Sequence, residues 1–102
     1  MPYTVSLVTA HPGGFRPRQY FLTLLWTDST DPNAASVNVY RATVSGGPYT
    51  QIATGIAMGT QTYADFNVNI GTTYYYVTTE VDINNNESGF SAEQSGTPGP
   101  IL

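Results

Sequence analysis

The fold class of this chain is decided by residues 20–26, which read YFLTLLW. Leu22, Leu24 and Trp26 occupy alternate positions there, and residues two apart in an extended strand lie on the same face. The polar run at residues 28–33, DSTDPN, is typical of a turn. We therefore predict a strand with one buried face, on which Trp26 is the largest core side chain.

Apolar residues alternate with polar ones along most of the chain, and turn residues interrupt the alternation roughly every ten positions. The pattern predicts no helix and strands at residues 3–9, 20–27, 36–43, 49–53, 60–66, 72–83 and 87–96. We expect the first strand at a sheet edge and the second in the centre of a sheet. Val37 and Val39 should face inward and Tyr40 outward. The run NNN at residues 84–86 predicts a tight turn, because Asn tolerates positive φ.

The length and composition of the chain limit the classes of function that it can have. Its 102 residues suit one domain, so we assign residues 1–102 to a single unit. The net charge of -4, with three Arg and no Lys, argues against nucleic acid and against anionic membranes as partners. The absence of Cys excludes a disulfide framework and a thiolate metal site. No run approaches the ~18 apolar residues of a membrane span, and the start at Met1 lacks the pattern of a secretory signal.

Several short motifs follow one another along the chain, namely LTLLW at 22–26, VNVYR at 37–41, SGGPY at 45–49, GTTY at 71–74, and VD at 81–82 with NES at 86–88. In order and spacing they resemble the motifs of fibronectin type III domains of the bacterial and phage type. The resemblance covers about residues 20–97 and leaves the first strand and both termini without support. It implies an all-β fold, a seven-stranded immunoglobulin-like β-sandwich.

The resemblance also implies structural roles for two aromatic residues. Trp26 would lie between the sheets, and Tyr74 would occupy the tyrosine corner, where the hydroxyl bonds a backbone group upstream. Both residues are therefore assigned to the scaffold and not to a functional site. The predicted core consists of Leu22, Leu24, Trp26, Val37, Val39, Tyr74 and Tyr76.

The chain departs from the family pattern at two places. Thr78 and Glu80 stand where bacterial relatives carry Val and then a small residue. A buried carboxylate needs a partner, so either the sheet face is open near Glu80 or Arg41 reaches it from a neighbouring strand. The loop at residues 10–18 is also longer than the family's connection, and long loops on a rigid scaffold often carry binding surfaces.

No group of residues matches a catalytic or metal-binding pattern. His11 is the only histidine, and we interpret it as a solvated loop residue, not a member of a catalytic triad. Asp28 and Asp31 are residues typical of a polar turn, and we do not interpret them as a catalytic carboxylate pair. Residues 82–87 begin like a calcium loop, but Glu87 stands where that loop needs Gly, so we interpret the run as a plain hairpin turn. We predict a non-catalytic protein without metal or cofactor.

Two segments are candidates for an interface with a protein partner. Phe15, Arg16 and Arg18 lie together in the long loop, and Arg and aromatic residues are enriched at contact hot spots. The alternative for this segment is a proline-stiffened loop without a partner. The tail at residues 98–102 ends in Ile101 and Leu102, which either fray or dock on a partner.

Two functions are compatible with these features. The first is a virion accessory protein of a bacteriophage, a complete small gene product that decorates or cements the shell by binding neighbouring subunits through the loop and the tail. The alternative is a fibronectin type III spacer or carbohydrate-binding module from a secreted bacterial enzyme such as a glycoside hydrolase. In that case Tyr3, Tyr40 and Tyr75 would stack on sugars. A small enzyme has no supporting pattern.

Overall fold

The structure, a computed structural model, describes residues 20–99 and the backbone of residues 5–12. Within these ranges the strands are β1 (Val5–Pro12), β2 (Tyr20–Trp26), β3 (Ala34–Ala42), β4 (Thr50–Ala57), β5 (Thr62–Asp65), β6 (Tyr74–Asp82) and β7 (Gln94–Gly96). They form a three-stranded sheet in the order β1-β2-β5 and a four-stranded sheet in the order β4-β3-β6-β7. β1 is an edge strand and β2 is central, as predicted. The predicted all-β sandwich is confirmed.

The described residues contain no helix, and hence no helix long and apolar enough to cross a membrane.

One hydrophobic cluster joins the two sheets. It consists of the residues that the alternation and the family resemblance together predict for the core, namely Leu22, Leu24, Trp26, Val37, Val39, Tyr74 and Tyr76. Both Leu residues and both Val residues are almost completely buried, and each such side chain contributes about 1.5–3 kcal/mol of apolar burial. The indole N–H of Trp26 donates to Asp28 Oδ1 at 3.2 Å, so the polar end of the ring is satisfied at the turn after β2.

Tyr74 forms the tyrosine corner that the resemblance implies. Its hydroxyl accepts a hydrogen bond from the backbone N–H of Asn69 at 2.7 Å, while its ring lies in the core. The neighbouring turn is closed by Gly71, which has a φ of 85° and donates its N–H to the carbonyl of Pro98 at 2.8 Å. Pro98 is itself fully buried, so the predicted tail at 98–102 begins inside the fold.

Asp65, at the end of β5 in the three-stranded sheet, accepts hydrogen bonds from two strands of the four-stranded sheet. Its Oδ2 lies 2.8 Å from Arg41 Nη1 on β3 and accepts from the Tyr76 hydroxyl on β6 at 2.6 Å. Its Oδ1 accepts from the N–H of Asn67 at 3.0 Å. The Asp65 side chain is 4% exposed, and burial together with this carboxylate raises the pKa of Tyr76. The guanidinium of Arg41 also lies over the Tyr74 ring, 5.2 Å from its centroid.

Both expectations for Glu80 are wrong. Glu80 is only 5% exposed, so the sheet face is not open there, and Arg41 pairs with Asp65. The β3–β6 register explains the difference, because Glu80 lies opposite Val37 while Arg41 lies opposite Tyr76. Four residues of strand separate the two positions by roughly 13 Å. Glu80 Oε1 is buried and has no hydrogen-bond partner among the described residues.

Several predicted strand boundaries need correction. β1 runs to Pro12, and the backbone of His11 pairs with Phe21, so residues 10–12 belong to a strand and not to the predicted loop. β4 runs to Ala57 and not to residue 53. Its pairing with β3 contains register shifts, and Gly55 has a positive φ. The strand therefore continues where the alternation of apolar and polar residues breaks. β7 covers only Gln94–Gly96, whereas a strand from residue 87 was expected.

Replacing Asp65 with Ala should destabilise the protein strongly, since it leaves Arg41 and the Tyr76 hydroxyl without their shared acceptor. We expect the free energy of unfolding to fall by about 3–5 kcal/mol. Tyr74→Phe removes one hydrogen bond and keeps the ring, so it should cost only about 1 kcal/mol. Urea unfolding of both variants measures the difference. Equal losses would show that Asp65 does not hold the sheets together.

Replacing Glu80 with Met should stabilise the protein. The change removes a buried oxygen that no described residue contacts by a hydrogen bond, and it keeps a side chain of similar length at an inward position beside Val37. We expect a gain of about 1 kcal/mol in the free energy of unfolding, measured in urea. A loss of similar size would mean that the carboxylate makes a stabilising interaction.

Candidate functional site

The segment 87–93, between β6 and β7, follows the edge of β6 without forming a regular strand. Ser88 donates its N–H to the Glu80 carbonyl at 2.8 Å, and its Oγ accepts from the Glu80 N–H at 2.9 Å. Ser91 repeats this arrangement at Thr78, with distances of 2.8 and 2.9 Å. Each serine therefore satisfies both backbone groups of one β6 residue.

The spacing of the two serines pushes the residues between them away from the sheet. Ser88 and Ser91 are three residues apart, whereas Glu80 and Thr78 are two apart. One extra residue must be accommodated, as in a β-bulge. Gly89 and Phe90 therefore project outward, and the Phe90 side chain is 55% exposed. This is the physical reason why the strand predicted from residue 87 is interrupted.

Glu87 anchors the start of the segment on the outer face of the four-stranded sheet. Its Oε2 accepts hydrogen bonds from Thr79 Oγ1 at 2.6 Å, from Asn38 Nδ2 at 3.2 Å and from the Tyr40 hydroxyl. The Thr79 and Tyr40 hydroxyls lower the pKa of Glu87, so its carboxylate is stabilised in the ionised form. Its Oε1 makes no hydrogen bond with any residue that the structure describes.

Glu93 anchors the other end of the segment on the loop between β3 and β4. Its carboxylate accepts from the Tyr49 hydroxyl, from the Gly46 N–H at 2.8 Å and from Ser45 Oγ at 2.7 Å. These donors, led by Tyr49, lower the pKa of Glu93. Gly46 has a φ of 86°, a conformation that glycine adopts without strain. The SGGPY motif thus holds the end of the segment.

Three aromatic rings meet where the segment crosses the sheet. The Phe90 ring lies 5.2 Å from the Tyr40 ring and 5.1 Å from the Tyr49 ring, with interplanar angles of 65° and 73°. Both contacts are edge-to-face, the arrangement that aromatic quadrupoles favour. Phe90 is therefore held in place while much of its surface faces solvent.

The projecting segment and the sheet enclose an open cleft of about 260 Å³, which we call the aromatic cleft. It is lined by Tyr40, Thr79, Glu87, Ser88, Gly89 and Phe90. Its walls combine two aromatic rings, a carboxylate and hydroxyl groups, without a cation. Apolar surface with a few fixed polar groups is typical of a small-molecule binding site.

A second, acidic cavity of about 180 Å³ adjoins the aromatic cleft. Its lining comprises Asp31, Glu80, Asp82, Asn86, Glu87 and Ser88. Asp82 Oδ1 accepts from the N–H groups of Asn86 and Asn84, which lower the pKa of Asp82. Asn85, in the same turn, has a φ of 66°, as expected for the predicted tight turn. No three His, Asp or Glu residues in the described ranges are arranged to hold a metal ion.

The structure brings together residues that the sequence did not connect. Tyr40 is half-buried on the outer face, as predicted, and Tyr75 lies further along that face opposite Ala42. The sequence analysis did not identify Glu87 and Phe90 as site residues. Two signals were available for them, namely the spacing of three between Ser88 and Ser91 and the aromatic residue directly after Gly89. Phe15, Arg16, Arg18, Ile101, Leu102 and Tyr3 lie outside the described residues. The interface predicted from the first five of them stays a prediction.

Comparison with known proteins gives a consistent set of similar structures and sequences. No protein-family model matches the chain. The structure is similar to that of an Fn3-like protein from Clostridium thermocellum, with a TM-score of 0.70 and 39% identity over 95% of this chain and 91% of that one. Pectate lyase PelI from Erwinia chrysanthemi has a TM-score of 0.70 and 24% identity over 93% of this chain and 27% of its own. The latter likeness concerns the fold alone.

Among curated proteins, amylopullulanases contain similar sequences. That of Thermoanaerobacter thermohydrosulfuricus is 46% identical over 65 residues, or 64% of this chain. That of Thermoanaerobacterium saccharolyticum is 39% identical over 75 residues, or 74% of this chain. The chain spans only 4% and 6% of the lengths of these two relatives. It is therefore similar to a small part of each.

The segment 87–93 should loosen in acid, because the pKa values of Glu87 and Glu93 are lowered from 4.5 in the folded protein. A carboxyl with a lowered folded pKa contributes stability that is present above its unfolded pKa and is lost as the pH falls through the folded value. Replacing both residues with Gln should flatten the fall in the urea midpoint between about pH 5 and about pH 3. Asp82 is present in both the original protein and the double variant, so its effect on the urea midpoint cancels when the two are compared. An unchanged pH profile would contradict the anchoring role.

Proposed function

The chain belongs to the fibronectin type III family, and from this premise we propose that it is a non-catalytic module of a larger polysaccharide-degrading enzyme that acts outside the cell. The likeness to segments of amylopullulanases carries the proposal. In such an enzyme a stable sandwich would hold neighbouring parts at a fixed spacing and contribute surface for binding. The name amylopullulanase itself refers to amylose-type glucans and pullulan, which makes α-glucans the polysaccharide of choice for the tests.

The site chemistry supports a non-catalytic role. A glycosidase general acid needs a carboxyl with a raised pKa, so that it carries a proton near neutral pH. The carboxyls of Glu87 and Glu93 have lowered pKa values, because hydroxyl and N–H donors stabilise the ionised forms. Both groups act as hydrogen-bond acceptors that shape the surface.

The comparisons favour the alternative drawn from the sequence over the virion accessory protein. The similar proteins described above are enzymes or an Fn3-like protein, and none of them is a virus-particle component. The virion interpretation, with its shell partners and its localisation, receives no support from them. A secreted module of a bacterial enzyme is the function that we carry forward.

An antibody against the 102-residue chain tests the proposed function directly. On immunoblots of fractionated cultures of the source organism, we expect a polypeptide much larger than 11.0 kDa in the medium. It should co-elute with glucan-hydrolysing activity. A band near 11.0 kDa that co-purifies with virus particles would overturn the proposal and restore the accessory-protein interpretation.

A further inference from the structure

The aromatic cleft presents an ordered apolar surface to solvent. Phe90 is held by edge-to-face contacts with Tyr40 and Tyr49, and it keeps 55% of its surface exposed. Because the ring is fixed before any ligand arrives, little side-chain freedom is lost on binding. The C–H face of a sugar ring is a suitable partner for such an aromatic surface.

Glu87 supplies a fixed polar group beside this surface. Three donors hold its Oε2, which leaves Oε1 directed by the same network but without a bond to any described residue. A carboxylate oxygen accepts only, and its hydrogen bonds to neutral donors are charge-assisted. Hydroxyl groups of a ligand are the matching donors. The neighbouring Ser88 Oγ is already engaged by the N–H of Glu80 and the carbonyl of Gly89, so Glu87 sets the polar preference of the cleft.

The charge around the cleft selects against anionic ligands. Glu87 lies in the cleft itself, and the adjoining cavity adds the carboxylates of Asp31 and Asp82. Arg41, the one Lys or Arg among residues 20–99, is paired with Asp65. An anionic polysaccharide would meet like charge here, and residues 20–99 offer no unpaired cation to compensate it. A neutral ligand rich in hydroxyl groups meets no such penalty.

The size and position of the cleft suit a short part of a polymer. Its volume of about 260 Å³ lies just below the ~300–1,000 Å³ range of pockets that enclose a drug-sized ligand. It is open and lies on the outer face of a sheet, where a chain that enters it continues across the surface. One or two ring-sized units would contact the aromatic surface while the rest of the polymer stays in solvent.

We propose that the aromatic cleft binds a short stretch of neutral α-glucan, with Phe90 and Tyr40 against the sugar rings and Glu87 Oε1 accepting their hydroxyl groups. The choice of an α-glucan rests on the proposed function. The aromatic surface, the oriented acceptor and the local charge come from the chain itself.

Titration of the ¹⁵N-labelled chain with maltohexaose, followed by NMR, tests the assignment. We expect a dissociation constant on the order of 1 mM or lower, the range for a small open site. The amide signals that shift should be those of Thr79, Glu87, Ser88, Gly89 and Phe90. Tetragalacturonic acid, an anionic probe, should cause no such shifts. Absence of shifts with maltohexaose, shifts confined to another surface, or equal binding of the anionic probe would overturn the assignment.

Paired variants separate a binding role from a structural one. Phe90→Ala should weaken maltohexaose binding at least about tenfold. Phe66→Ala is the matched control, because Phe66 is 51% exposed and contacts Phe21 at a ring distance of 4.9 Å near the other sheet. It should leave the affinity unchanged. Equal effects of the two substitutions would contradict the assignment.

A variant of Glu87 tests the acceptor without a large change in shape. Glu87→Gln should weaken maltohexaose binding at least about fivefold, and urea unfolding at neutral pH would confirm that the variant is folded. Unchanged affinity in this variant would remove Glu87 from the site. The immunoblot result is independent. A secreted hydrolase whose module fails to bind glucan retains the proposed function and loses only the cleft assignment.

Discussion

The buried carboxylate of Asp65 fixes how the two sheets face each other. It lies at the end of β5 in one sheet and accepts hydrogen bonds from Arg41 on β3 and Tyr76 on β6 in the other. Burying an ion pair adds little net stability, because the loss of hydration offsets much of the attraction. Its main effect here is on register. A slip of one residue would move Arg41 to the outer face and leave the carboxylate buried alone.

The outer surface follows from this register. With Arg41 and Tyr76 facing inward, the alternation places Asn38 and Tyr40 of β3 and Thr79 of β6 on the opposite face. These three side chains converge on one oxygen of Glu87 and fix the start of the segment 87–93. Ser88 and Ser91 are three residues apart but bond β6 residues that are two apart, and this mismatch makes Phe90 project from the sheet. The aromatic cleft is thus a consequence of how the segment is attached to the sheet.

The few charged residues act mostly as structural acceptors. Asp28 accepts from the Trp26 indole and from the N–H of Gly59 at 2.6 Å, and so connects two turns. Asp82 closes its own turn, and Glu93 holds the loop between β3 and β4. Glu80 differs from these residues, since one of its oxygens is buried without a hydrogen-bond partner in the part of the chain that the structure describes. A low content of charged residues is therefore compatible with a well-defined surface, because the carboxylates of Asp28, Asp82, Glu87 and Glu93 each accept from several neutral donors.

The sequence by itself determined the fold class, the core and the family. Alternation along residues 20–26 and 37–39 decides which side chains are buried, and the short motifs predict the tyrosine corner at Tyr74. These signals are local, since they depend on strand periodicity and turn chemistry. The same periodicity could not show that segment 87–93 is irregular, because its hydrogen bonds to β6 run through the side chains of Ser88 and Ser91.

Only the tertiary structure decided which charged groups meet and where a ligand can bind. The pairing of Arg41 with Asp65 and the isolation of Glu80 depend on strand register and on the packing of one sheet against the other. Residue patterns along one strand carry no information about partners on another. The aromatic cleft has the same origin, because Tyr40 and Phe90 are far apart in the chain and come together only when the segment folds over the sheet.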